Sequence, residues 1–343
     1  MSARRLRLYR RLCALTVVIT LGLIMLGAGV RLTDAGLGCP DWPGCYGQLS
    51  PAHAADHIDA AVAAQGGEFG PVSMGKAWRE MIHRYIAMGL GVLIIGLMLL
   101  GWKWRRDLPG GPWLATVLVG VVILQGLFGK WTVTLLLKPA IVTGHLLGGM
   151  LTLSLLVWLW RRTAAAAAAP ASPAQPVSPV GQRWSHLRLA CTVGLVALVL
   201  QIFLGGWTST NYAALACNDF PTCQQQWWPD ADYDHAFHLT RELGQSPDGD
   251  ALGLPALTAI HFTHRLGAIA VTVILLWLIV AAWRERELRG LATMLFAALV
   301  LQIGLGISNV LFSLPLSVAV AHNGGAAVLL AVLVMLKLRV WRG

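Results

Sequence analysis

Eight apolar runs of about bilayer-spanning length follow one another along this chain: roughly residues 12–31, 81–102, 113–136, 139–160, 187–208, 256–283, 290–312 and 316–338. They point to an all-α, polytopic membrane protein of eight transmembrane helices. Composition agrees, since 56% of the 343 residues are hydrophobic and only 12% are charged, which is unusual for a soluble globule. The net charge of +10 invites a nucleic-acid reading, but its distribution argues against one. Arg4, Arg5, Arg7, Arg10 and Arg11 precede the first run. Further basic clusters follow runs two, four, six and eight: Lys103/Arg105/Arg106, Arg161/Arg162, Arg284/Arg286/Arg289 and Lys337/Arg339/Arg342. That is the positive-inside pattern, with both termini cytoplasmic and the long loops outside. The first run is longer than a signal-peptide core and no small-residue cleavage site follows it. The basic start lacks the Ser-rich pattern of an organelle transit peptide. The expected location is a bacterial cytoplasmic membrane.

The second half of the chain repeats the first. Cys217 follows Cys39 by 178 residues, His264 follows His83 by 181, Gln302 follows Gln125 by 177, and His322 follows His145 by 177. Run one ends in Leu26-Gly27-Ala28-Gly29 and run five in Leu204-Gly205-Gly206. Near-constant offsets indicate an internal duplication. Each repeat has an even number of runs, so the repeats are parallel. They are expected to form two tandem four-helix bundles related by a pseudo-two-fold axis along the membrane normal. The expected boundaries are 1–162 for the N-terminal half, 163–183 for an Ala/Pro-rich cytoplasmic linker, and 184–343 for the C-terminal half.

Chemistry concentrates at loop-to-run boundaries. The first box reads Glu80-Met81-Ile82-His83-Arg84 and the second His261-Phe262-Thr263-His264-Arg265. Ionisable residues are costly in lipid and usually face a site. His83, His145, His264 and His322 all lie within the first turns of runs that enter from the outside, so they share one depth, in the outer leaflet. Two histidines on two helices in each half suit axial ligation of haem iron. The plainer alternative is four buried histidines bonded to carbonyls. A zinc or copper site is another, but it needs three or four converging ligands. Arg84 and Arg265 are candidate partners of haem propionates, or else arginines snorkelling to the interface. Glu80, one turn before His83, is replaced by His261 in the second box. That asymmetry suggests one catalytic half and one electron-carrying half, unless Glu80 only pairs with a nearby arginine such as Arg79.

The two long loops carry Cys39–Cys45 and Cys217–Cys223. Outside the membrane these thiols tend to oxidise, which makes each pair a candidate disulfide, structural or redox-active. Both enclose Asp-aromatic-Pro, so each closed loop is expected to present an aromatic plug. Cys13 and Cys191 lie within runs and read as packing residues.

Arg31-Leu-Thr-Asp-Ala-Gly-Leu-Gly-Cys39-Pro-Asp-Trp-Pro, the Glu80–Arg84 box, Thr143-Gly-His145-Leu and His264-Arg265 together resemble the haem A synthase family. The resemblance covers all eight runs. It implies oxidation of a haem O methyl group to a formyl group, giving haem A for cytochrome oxidase. It implies a resident haem b at His264 and His322, a substrate haem at His83 and His145, and Glu80 as the catalytic acid. Haem O is then the substrate partner, with haem O synthase and cytochrome oxidase assembly factors as protein partners. The family reading leaves room for a homo-oligomer. Two other functions compete on the residues alone. A two-haem cytochrome b handling quinol would place ligands at both membrane depths, whereas these four share one. A haem transporter or chaperone would need the ligands but not the acid.

Overall fold

The computed structural model describes residues 3–342 apart from 68, 109 and 169–183. Its helices, in order, are α1 (Ala3–Leu32), α2 (Ala55–Ala64), α3 (Met74–Lys103), α4 (Trp113–Thr134), α5 (Pro139–Ala168), α6 (Ser185–Thr210), α7 (Tyr233–Ala236), α8 (Leu254–Trp283), α9 (Arg289–Leu311) and α10 (Leu316–Arg342). Among the described residues, eight of these are long and apolar enough to cross a membrane: all but α2 and α7. The chain is an all-helical, multi-pass membrane protein, as the eight apolar runs predict.

The helices are longer than the apolar runs at the ends where the long loops meet them. α3 begins at Met74 behind a Ser73 N-cap that accepts from the Lys76 N–H. α8 begins at Leu254, with proline in its first turn. His83 and His264 are therefore more than two turns inside their helices, not in the first turn. Polar residues such as Lys76, Arg79 and Glu80 form helix as readily as apolar ones, so the backbone ladder continues past the point where hydropathy stops. The same effect moves the expected linker boundary. α5 runs on to Ala168, through an alanine run that needs no core to stay helical. Residues 169–183, the rest of the expected linker, lie outside the described residues.

Two apolar clusters sit at the end of the bundle opposite the cysteine loops. One packs Tyr9, Cys13, Ile94, Leu97, Leu118 and Leu156. The other packs Leu153, Leu187, Cys191, Leu275, Leu295 and Leu333. Cys13 and Cys191 are free and buried, as expected of packing residues. The buried Tyr9 hydroxyl donates to the Leu97 carbonyl at 3.1 Å. Between lipid-bathed helices the driving force is close packing, so small residues mark the contacts. α1 packs on α10 and α5 packs on α6 across the chain's two halves. Cβ positions built on Gly206 and Gly324 would fall 3.0 Å from Leu146 and 2.9 Å from Met25. Any larger residue at these positions would require Leu146 or Met25 to shift. Thr143 and Thr210 share a buried hydrogen bond of 3.2 Å at the α5–α6 contact.

At the cysteine-loop end a polar clasp joins the same helices. Arg31 of α1 donates to the Ser209 and Thr210 carbonyls at 3.1 and 3.4 Å, satisfying the open end of α6. Its guanidinium lies 4.0 Å from the Tyr212 ring centre. The Tyr212 hydroxyl donates in turn to Asp34 at 2.7 Å.

Candidate haem-ligand pairs

Each of the four histidines rests on a glycine of a neighbouring helix. A Cβ on Gly27 of α1 would lie 3.1 Å from His83 Cε1, and one on Gly129 of α4 would lie 3.3 Å from His145 Cε1. In the other half, Gly205 of α6 meets His264 Cε1 at 3.0 Å, and Gly306 of α9 meets His322 Cε1 at 3.1 Å. Every seat belongs to a Gly-containing stretch that the repeat brings out, Leu26-Gly27, Gln125-Gly126-Leu127-Phe128-Gly129 and their counterparts. The pattern was visible in the sequence, but the ring lying on each glycine was not.

The seats of His83 and His145, Gly27 and Gly129, both belong to the first half, and those of His264 and His322, Gly205 and Gly306, both to the second. The structure thus pairs the four by half. The Nδ1 atoms of His83, His145 and His322 are buried with no hydrogen-bond partner. Among the described residues no three His, Cys, Asp or Glu side chains converge on a metal position. Two imidazoles on separate helices in each half fit the axial positions of a haem iron.

Three glutamines stand beside these histidines. Gln125 donates to the His145 carbonyl at 2.6 Å. Gln302 Nε2 lies 3.4 Å from His322 Nε2. Gln201 Nε2 lies 3.0 Å from His264 Nδ1 and 2.9 Å from the His264 carbonyl oxygen. Sequence reading singled out Gln125 and Gln302 as repeat markers but missed Gln201.

Both cysteine pairs are disulfides, with S–S distances of 2.07 and 1.99 Å. Each loop is shaped by its own aspartate. Asp41 accepts from the Tyr46 and Gly47 N–H groups at 2.6 and 2.8 Å; Asp219 accepts from Gln224 and Gln225 at 2.6 and 2.9 Å. Burial, the largest single cause, raises the Asp219 pKa, but the Thr222 hydroxyl and these N–H groups together outweigh it and hold the carboxyl below its ordinary range. The enclosed aromatics Trp42 and Phe220 are exposed.

The boxes dock the loops. Glu80, buried, accepts from the Cys39 N–H at 2.9 Å and from Arg84 at 2.5 Å. Arg84, not Arg79, is its ion-pair partner. Arg84 also donates to the Asp41 and Gly44 carbonyls at 2.9 and 2.5 Å. In the second half His261 Nδ1 accepts from the Cys217 N–H at 3.3 Å, and Arg265 donates to the Thr222 and Cys217 carbonyls at 2.6 and 2.9 Å. Both arginines, read from sequence as propionate partners, thus direct their guanidinium groups to loop carbonyls. The carbonyls were not foreseeable, because the loop conformation supplies them.

Residues 10–334 match the COX15-CtaA family of cytochrome oxidase assembly proteins. The chain belongs to that family. A Shewanella oneidensis relative named haem A synthase is 40% identical over 333 residues, covering 96% of both chains. Relatives of the same name from Caulobacter vibrioides and a Chelativorans species are 29% and 28% identical. Each alignment covers 96% of this chain, and 94% and 90% of the relative. The matched range spans the positions of all four histidines, both boxes and both disulfides.

Proposed function

We propose that this protein is a haem A synthase, converting a methyl group of haem O to a formyl group. The observation that carries the reading is the pairing of two glycine-seated histidine couples with a buried carboxylate beside one of them. His83 and His145 would hold the substrate haem O, and His264 and His322 a resident haem b. A bound haem b supplies one-electron redox chemistry in the C-terminal half. The seats Gly27, Gly129, Gly205 and Gly306 let the Cε1 edge of each ring approach the neighbouring helix closely. Met25 on Gly324 and Leu146 on Gly206 keep the halves close. Glu80 precedes His83 by three residues and so shares its helix face. Its carboxylate stabilises positive charge developing at the substrate edge and takes up protons released there. Arg84 and Arg265 each have five donors, and those not given to a loop can take a haem propionate. The cysteine loops lie outside the membrane and both termini in the cytoplasm, in a bacterial cytoplasmic membrane, as the basic clusters indicate.

The test is expression in a host lacking its own synthase, followed by identification of the haems by mass. Wild-type chain yields haem A, with haem b bound to the purified protein. His264→Ala and His322→Ala lose haem b while the chain still inserts. Haem b content unchanged in both variants, or no haem A from the wild type, overturns the reading.

A further inference from the structure

The second cysteine loop carries two neighbouring tryptophans that the fold leaves uncovered, Trp227 at 75% exposure and Trp228 at 69%. They do not sit on a slack stretch. Cys223, held in its disulfide, exchanges backbone hydrogen bonds with Gln226 at 3.0 and 3.1 Å, and the two tryptophans follow that turn directly. Trp228 lies edge-on against Phe262 of α8, with 5.3 Å between ring centres. The loop therefore presents the pair at a fixed place beside α8. That place has a definite depth. α8 has 30 residues, more than the hydrocarbon core of a bilayer requires. Counted back from Arg284, the first basic residue beyond α8, about 20 residues of core end near His264. Phe262 lies just beyond, at the edge of the core. Further into the core Leu266, Ile269 and Val273 are exposed at helical spacing from Phe262, so they form a lipid-facing stripe. Trp228 extends that stripe at its cysteine-loop end.

We infer that Trp227 and Trp228 anchor the second cysteine loop in the headgroup layer of the membrane, with a lipid surface as their partner. An uncovered apolar patch marks an interaction surface, and its depth and its continuity with the stripe on α8 make lipid the cover. Tryptophan suits that layer because its ring is apolar while its N–H can donate to lipid carbonyls and phosphates. The inference does not depend on which haem either half binds.

The anchor belongs to one repeat only. The first loop makes the same turn, Cys45 with Gln48 at 2.9 and 3.0 Å, but continues with Leu49-Ser50 where the second has Trp227-Trp228. The Ser50 hydroxyl lies 2.9 Å from His53 Nδ1, so it serves its own loop. Leu49 is exposed but has no polar tip with which to hold a headgroup. The two loops, docked alike on α3 and α8, thus differ in their hold on the membrane.

The experiment uses the full-length protein, labelled with fluorotryptophan and held in lipid nanodiscs. Trp227→Phe and Trp228→Phe assign the two fluorine resonances. Phospholipid carrying a nitroxide high on its acyl chain should broaden both resonances more than a water-soluble gadolinium chelate does. The reverse order, with the chelate dominant, overturns the inference, because the pair then stands in water or is open to a protein partner. A second readout is hydrogen exchange in residues 217–228. Trp227→Ser/Trp228→Ser should speed it by about tenfold, the scale set by losing the burial of one large apolar side chain. Exchange at the wild-type rate in that variant also overturns the inference. If the serine variant does not accumulate in the membrane, the fluorine measurement decides alone.

Discussion

The two cysteine loops are docked by the same device built from different chemistry. In the first, Glu80 accepts from both the Cys39 N–H and Arg84. In the second, His261 accepts from the Cys217 N–H at Nδ1, which leaves the ring proton on Nε2, and Arg265 holds the loop through its own bonds to the Thr222 and Cys217 carbonyls. Both linkers are buried, at 4% and 5% exposure. The bond accepted by His261 is longer, 3.3 Å against 2.9 and 2.5 Å. An imidazole therefore suffices to hold such a loop. A buried carboxylate costs more to desolvate than a neutral ring, even when paired. Its presence in one half only points to a task beyond docking, which is the proposed proton and charge chemistry at the substrate haem.

The largest effect that can break this comparison comes from Glu80→His, which copies the second box. Loop docking should survive, whereas haem A formation falls by about 10²-fold or more, the usual contribution of a positioned acid or base. Haem O then accumulates with haem b content unchanged, both read by mass and optical spectra. Full haem A yield from Glu80→His would make the two linkers equivalent. Next in size is the disulfide pair. Each bridge closes a short loop, so Cys39→Ala/Cys45→Ala and Cys217→Ala/Cys223→Ala should each lower stability by about 2–3 kcal/mol in detergent unfolding. The first pair should also lower haem A yield, because the Cys39 N–H holds Glu80. Equal haem A yield from the two double variants would separate docking from chemistry.

Smaller is the effect of crowding the contact between the halves. Gly324→Ala places a methyl group 2.9 Å from Met25 and should cost about 1–3 kcal/mol. Met25→Ala in the same chain should recover most of it; a loss of thermal stability that Met25→Ala does not relieve would show that α1 and α10 are not packed as described. The smallest effect concerns the second loop, which carries a His235–Asp232 pair at 2.7 Å with no counterpart among the described residues of the first. The hydrogen bond to Asp232 raises the His235 pKa above its ordinary 6.5, and the bond from His235 lowers the Asp232 pKa below 3.8. The contribution of His235 is complete below pH 6.5 and lost as pH rises through its raised pKa; that of Asp232 is complete above pH 3.8 and lost as pH falls through its lowered one. Hydrogen-exchange protection in residues 232–236, corrected for the intrinsic pH dependence of exchange, should be highest between these limits, and protection that does not change with pH would show that the pair contributes nothing.

Much was legible in the chain. Apolar runs of bilayer length dictate helices because lipid offers the backbone no other partner, which is why all eight were readable. The duplication named the four histidines and both disulfides, since repeated landmarks need no coordinates. Three things depended on tertiary contact. The glycine seats required the neighbouring helix to arrive at each ring. The turning of Arg84 and Arg265 to the cysteine loops depended on carbonyls set out by Asp41 and Asp219, a matter of loop conformation. Gln201 lies 63 residues before His264, and only the packing of α6 on α8 brings its amide to that ring. Periodicity and repeat offsets report which residues share a face or a position. They carry no information about which face meets which neighbour, because that is decided by helix–helix packing across the whole bundle.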